Sequence, residues 1–244
     1  MVVVRIPSVV DVRIAKKLEL LQRKLGYQFG ENVHLLRRAI EHSSMANTKK
    51  NELSGETLEF LGDAVLYLVV TKKLFSDQPW QGEGVLTELR KNLIKNSTLA
   101  RVGDRMGLRT DDILLVGKSV KVGNGVTDKM VADAVEAIIG AIYRSDKERL
   151  DAVEAFVDKW FFQSGIKEEV LNEIDWTSRL KIWCDRQGIK WPLESPCEMK
   201  EDGTWRCRLT ISVYDELGEG ATKSLAKRQA AFMVLQKIES SVLP

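Results

Sequence analysis

Glu56-Thr57-Leu58-Glu59-Phe60-Leu61-Gly62-Asp63 runs straight into Ala64-Val65-Leu66-Tyr67-Leu68-Val69-Val70, and its reading decides how the first two-thirds of the chain is understood. At about 100° per residue, positions i, i+3 and i+7 fall within roughly 60° of one another, so Glu56, Glu59 and Asp63 share one helical face. Carboxylates crowded beside apolar surface repel one another and lose hydration, which is costly unless a cation is present. Asp133 and Glu136 repeat the i, i+3 spacing in an equally apolar segment. Such spacing also marks solvated helix faces. Here the flanking residues are apolar at nearly every other position, and periodicity alone leaves both a metal site and a solvated face open.

At 244 residues, 44% hydrophobic and 30% charged, the chain reads as globular, with one or two domains. The longest apolar run, residues 64–70, is far too short to span a bilayer. Arg5, Pro7, Asp11 and Arg13 interrupt the start before a signal-peptide core develops, so a cytoplasmic protein with no membrane partner is expected. Cys184, Cys197 and Cys207 match no zinc spacing and leave one thiol over in any disulfide scheme, so reduced thiols are expected. Residues 1–174 carry 26 basic and 25 acidic groups and residues 175–244 carry 11 and 10, so bulk charge does not announce a nucleic-acid binder.

Up to residue 164 the periodicities are helical. Leu18, Leu21 and Leu25 form one stripe, Gly26 breaks it, and Leu35, Leu36, Ala39 and Ile40 form the next. The acidic helix is expected over 56–75. Pro79, Gly82 and Gly84 mark a turn before a helix through Leu86, Leu89, Leu93 and Ile94, and Gly103 and Gly107 bracket a further break. A loop with Gly117, Gly123 and Gly125 leads to the helix of Asp133 and Glu136, and a last helix is expected over 147–162. The polar stretch 165–174 reads as a linker. Beyond it, 176–187 is helical, 205–214 alternates as a strand with Cys207, Leu209, Ile211 and Val213 on one side, 215–220 reads as a turn, and 221–238 as helix. Helix, strands and helix in that length indicate a small α+β domain.

A two-metal site needs several carboxylates around a small volume, and two helices bearing Glu56, Glu59, Asp63, Asp133 and Glu136 could supply them. His34 and His42 are the only histidines; neither sits in a metal-ligand pattern, and both read as structural or surface residues. With no serine or cysteine nucleophile partnered by histidine, water is the expected attacking group.

The segment 56–66 closely resembles the signature of the ribonuclease III family. Leu25-Gly26-Tyr27, Ala39-Ile40-Glu41-His42-Ser43-Ser44, Glu83-Gly84 with Leu86, Thr87 and Arg90, and residues 132–143 resemble its other blocks in order. The resemblance implies an all-α ribonuclease III endonuclease domain over 1–164, a linker over 165–174, and an α-β-β-β-α double-stranded RNA-binding domain over 175–244. It implies hydrolysis of duplex RNA with Mg²⁺ as cofactor and Mn²⁺ able to substitute, leaving 5′-phosphate, 3′-hydroxyl and short 3′ overhangs, in RNA processing or small-RNA degradation. By motif position, Glu56, Asp63 and Glu136 would be catalytic, with Glu59, Asp63, Asp133 and Glu136 on the metal. Lys129 would lie near the scissile phosphate, and Lys181, Lys223, Lys227 and Arg228 would contact RNA. The resemblance further implies a homodimer in which Phe60 enters the partner subunit. The alternative is a duplex-sequestering protein that does not cut, against which the intact set of five acids argues.

Thr57 stands where the family usually has arginine and Gly55 where a polar residue is usual, so ion pairing around Glu56 is expected to differ. Lys181, Ile182, Trp205 and Ser224 also depart from the RNA-binding pattern, so phosphate grip is expected to survive better than minor-groove readout.

Overall fold

The structure, a computed structural model, describes residues 9–45, 54–77, 83–110, 112–123, 125–192 and 195–241, so Pro79 and Gly82 of the expected turn lie outside it. The chain divides into two compact units, Met1–Val70 with Leu93–Ile166, and Thr71–Asn92 with Lys167–Pro244.

The first unit is helical. Helix α1 (Val9–Leu25) buries Leu18, Leu21 and Leu25, and stops where Gly26 adopts φ +72°. Helix α2 (Val33–Ala39) buries Leu35, Leu36 and Ala39 and gives way to a short parallel bridge, in which Leu115 N–H donates to Ile40 and His42 N–H to Leu115. Helix α3 (Gly55–Asp77) carries the signature segment, and α4 (Glu83–Leu93) belongs to the second unit. Helix α5 (Asn96–Arg105) runs through Gly103, which sequence reading took for a break. A Cβ there would lie 2.3 Å from Val131 Cγ1, so this glycine serves close packing of α5 on a neighbouring helix, and Gly107, at φ +77°, ends the segment. The glycine-rich loop contains a short helix, α6 (Lys118–Val122).

Helix α7 (Asp128–Ser145) is the centre of this unit. Thr127 caps it, its hydroxyl oxygen accepting from Met130 N–H at 3.3 Å, and ten of its residues are buried, as expected of a helix apolar on most sides. Helices α2 and α5 pack against it. Helix α8 (Asp151–Val157) continues as a π-helical turn through Phe162. It starts later than the expected residue 147 because Lys147 and Glu148 adopt positive φ and cannot continue a right-handed helix.

The expected linker is itself ordered: α9 (Ile166–Glu173), which from Lys167 onward belongs to the second unit, buries Ile166 and Val170, one helical turn apart. Asp175 caps α10 (Trp176–Arg186), accepting from Ser178 N–H at 3.1 Å. Strands β1 (Cys197–Met199), β2 (Trp205–Ile211) and β3 (Tyr214–Gly220) form an antiparallel sheet in that order, and α11 (Lys223–Ser241) packs across β2, β3 and α10. The α-β-β-β-α order is the expected one, but 215–220 is strand rather than turn, and Val213 lies exposed between β2 and β3 instead of facing the core. Glu216 is the buried charge of β3, and the Lys237 ammonium forms an ion pair with it. Cys197 and Cys207 are directly opposed across β1 and β2 and joined by a disulfide, while Cys184 remains a buried thiol. Cysteine number and spacing point to reduced thiols, but neither shows that the strand register sets two of the three face to face.

Candidate active site

Ser54 starts α3: its hydroxyl oxygen accepts from Thr57 N–H at 3.2 Å and lies 2.9 Å from the Thr57 hydroxyl. Thr57, the departure from the family arginine, therefore closes the helix cap. From that start, Leu58, Val65, Leu66, Val69 and Val70 face inward, and Glu59 is drawn with them to the half-buried edge of the helix.

The crossing of α3 and α7 brings the acids together. A Cβ on Gly62 would sit 1.8 Å from the Glu136 carbonyl oxygen, and one on Gly140 would sit 2.2 Å from the Leu58 carbonyl oxygen. The two backbones therefore touch, with glycine supplying the missing side chain on each side. Directly beside this contact, carboxylate oxygens of Glu59, Asp133 and Glu136 lie within 4.8 Å of one another, and all three residues are half-buried. Glu56 and Asp63 line the same cavity, of about 650 Å³, but are exposed and stand outside that tightest group.

Burial and acidic neighbours raise two of these carboxyls. Burial, reinforced by Asp63, Glu59 and Asp133, pushes the Glu136 carboxyl up to about 8. Burial and then Asp133 also raise Glu59 above the usual carboxylate range. Lys129 places its ammonium 2.8 Å from both Asp133 oxygens, and that hydrogen bond raises the lysine above its ordinary value. One cation thus already answers this acidic wall. An arrangement of oxygen ligands that cannot all ionise without a counter-charge fits a divalent metal.

Phe60, on the same helix, is 81% exposed, and Tyr67 and Leu68, two turns on, are exposed with it. In the second unit, Thr222 caps α11, its hydroxyl accepting from Leu225 N–H at 3.2 Å. Lys223 in the first turn stands over the Trp205 ring at 5.8 Å, and Lys181 stands over Trp191 at 5.1 Å. Lys227 is half-buried. Arg228 donates to the Asn172 carbonyl at 3.0 Å, so this expected RNA contact is engaged with α9.

Residues 32–164, more than half the chain, match the family model described as Ribonuclease-III-like. The chain belongs to the ribonuclease III family. It is 33% identical to Ribonuclease 3 of Photobacterium profundum over 229 residues, covering 90% of this chain and 97% of that protein. It is 32% identical to Ribonuclease 3 of Staphylococcus aureus over 231 residues, covering 90% and 91%. Among solved structures, the nuclease domain of ribonuclease III from Campylobacter jejuni superposes with a TM-score of 0.51 at 33% identity, covering 59% of this chain and 98% of that domain. This ribonuclease III-family enzyme therefore carries the nuclease fold with an acidic cluster able to hold metal, followed by a small α+β unit. Among the described residues no helix is long and apolar enough to cross a membrane.

Two cavity residues escaped the sequence reading of the site. Glu41 adds a sixth carboxylate to the lining, paired with Arg38 at 3.5 Å, and His42 lies next to it. Both fall in the block 39–44 that carried part of the family resemblance; neither has helical spacing to the other acids, so periodicity could not reach them.

Proposed function

We propose that this ribonuclease III-family protein is a double-stranded RNA-specific endoribonuclease in which Glu59, Asp63, Asp133 and Glu136 hold Mg²⁺ and Glu56, Asp63 and Glu136 carry the reaction. The observation that carries the proposal is the convergence of carboxylates from α3 and α7 around one cavity, with Glu136 pushed up to about 8 by burial and its acidic neighbours. A bound divalent ion supplies Lewis-acid charge at the scissile phosphate and acidifies a water for attack. The chain's own residues do the rest. Glu136 and Glu59, half-buried on rigid helices, fix the ligand positions, while the more exposed Glu56 and Asp63 order water and the incoming strand. Lys129 exchanges part of its contact with Asp133 for the phosphate, compensating charge that develops on the oxygens. The products are a 5′-phosphate and a 3′-hydroxyl.

Two such sites are needed to cut both strands, and the exposed Phe60, Tyr67 and Leu68 of α3 support a homodimer in which Phe60 enters the partner. The domains are a nuclease domain over 1–164 and a double-stranded RNA-binding domain over 175–244, joined by 165–174. Lys223 and Lys227 near the N-terminus of α11, with Lys181 of α10, hold phosphates. Arg228 joins them only after giving up the Asn172 carbonyl.

Duplex RNA, duplex DNA and single-stranded RNA incubated with the protein in Mg²⁺, followed by end-group analysis, test the reading. Cleavage confined to duplex RNA with 5′-phosphate ends is expected. Tight binding of duplex RNA with no cleavage in Mg²⁺ or Mn²⁺ would make this a sequestering protein instead.

A further inference from the structure

We propose that His42 is a substrate-positioning residue whose Nε2–H donates a hydrogen bond to a backbone oxygen of the RNA strand held in the acidic cavity. The inference rests on the nuclease reading above and adds to it a residue outside the carboxylate set.

The ring is held by a chain of bonds that fixes its tautomer. Ser44 N–H donates to His42 Nδ1 at 3.1 Å, so Nδ1 carries no proton. The Ser44 hydroxyl lies 2.9 Å from the same nitrogen and itself accepts from Gly117 N–H at 2.9 Å, which leaves its own proton to point at Nδ1. Gly117 is held close by the same interaction: a Cβ there would meet the Ser44 carbonyl oxygen at 2.4 Å. The ring proton therefore resides on Nε2, and among the described residues Nε2 has no hydrogen-bond partner.

What lies around it says what it would bind. His42 is half-buried and lines the cavity of the five acids together with Glu41. Among the described residues six carboxylates line this space, and they can only accept hydrogen bonds while ionised. An RNA strand brings further acceptors, its phosphate and ribose oxygens, which an acidic wall repels. Among the described lining residues Lys129 is the charged donor, and it already serves Asp133. A ring N–H whose tautomer is set by two bonds from Ser44 costs little ordering entropy to use, so His42 gives the strand a fixed donor in the acidic cavity.

Asn and Gln substitutions separate the two ring nitrogens. The Asn side chain reaches only the Nδ1 position and can still accept from Ser44 N–H, whereas Gln reaches the Nε2 position with an N–H donor. Single-turnover cleavage of a duplex RNA in Mg²⁺ should fall about tenfold in His42→Asn, the loss of one hydrogen bond, with its melting temperature and its Ca²⁺-supported duplex binding unchanged. His42→Gln should recover most of that rate. A substrate with 2′-deoxyribose at the scissile nucleotide identifies the oxygen: its loss will not add to that of His42→Asn if the ribose is the acceptor, and will multiply it if the phosphate is. Cleavage by His42→Asn at the wild-type rate, or equal loss in both variants with a lowered melting temperature, would overturn the proposal. Wild-type protein that fails to cleave would instead sink the nuclease reading on which it stands.

Discussion

Gly62 on α3 lies against the backbone of Glu136 on α7, with no room for a Cβ between its Cα and the Glu136 carbonyl oxygen. This contact sets how far the acids of one helix stand from those of the other. Gly62→Ala should therefore force the helices apart, destabilise the protein by more than about 2 kcal/mol as overpacked cores do, and abolish metal-dependent cleavage even where folding survives. Thermal melting and a cleavage assay on the same preparation check both parts.

The raised Glu136 carboxyl makes stability depend on pH and metal. Its folded value, about 8, lies above the ordinary 4.5, so the folded state binds more protons between the two. The group's contribution is fully present below about 4.5 and is lost as pH rises through about 8. Metal-free protein should thus lose melting temperature across this window, and saturating Mg²⁺ should remove most of the loss by taking over the counter-charge. Melting curves in EDTA and in Mg²⁺ from about pH 4 to about pH 9, which bracket that window, decide it; parallel curves would contradict it.

Lys129→Met should leave the fold almost untouched, because an exposed lysine in one ion pair contributes about 0–1 kcal/mol. Its rate of duplex cleavage should nevertheless fall about a hundredfold, the usual cost of removing a donor that stabilises developing charge. A melting temperature that drops while the rate holds would assign the lysine to structure alone.

The Cys197–Cys207 bond predicts one alkylatable thiol, Cys184, in denatured unreduced protein, and three after reduction. Reduction, or Cys197→Ser, should lower the stability of the second unit by about 2–4 kcal/mol, as for other cross-links closing short loops. Iodoacetamide labelling followed by mass spectrometry gives the count, and three labels without reductant would refute the cross-link.

Much of the site was legible in the chain because helical spacing is local: Glu56, Glu59 and Asp63 on one helix and Asp133 with Glu136 on another follow from counting residues. That Glu59, Asp133 and Glu136 form the tightest group while Glu56 and Asp63 stay exposed was not legible, since it depends on where Gly62 and Gly140 let the helices cross. Isolated glycines misled for the same reason. Gly103 looked like a breaker and is a packing contact inside α5, and Gly218 and Gly220 made β3 look like a turn although Gly218 is buried against α11. The polar composition of 166–173 hid a helix that buries Ile166 and Val170 at i, i+4 spacing.

The most direct test is cleavage of a labelled long RNA duplex by wild type and Glu136→Ala, in Mg²⁺ and in EDTA, with duplex binding measured in Ca²⁺. Cutting by wild type in Mg²⁺ alone, with both proteins binding duplex equally, is the predicted result. Cleavage by Glu136→Ala at the wild-type rate, or binding by both proteins with no cleavage in any metal, would contradict the carboxylate-centred nuclease.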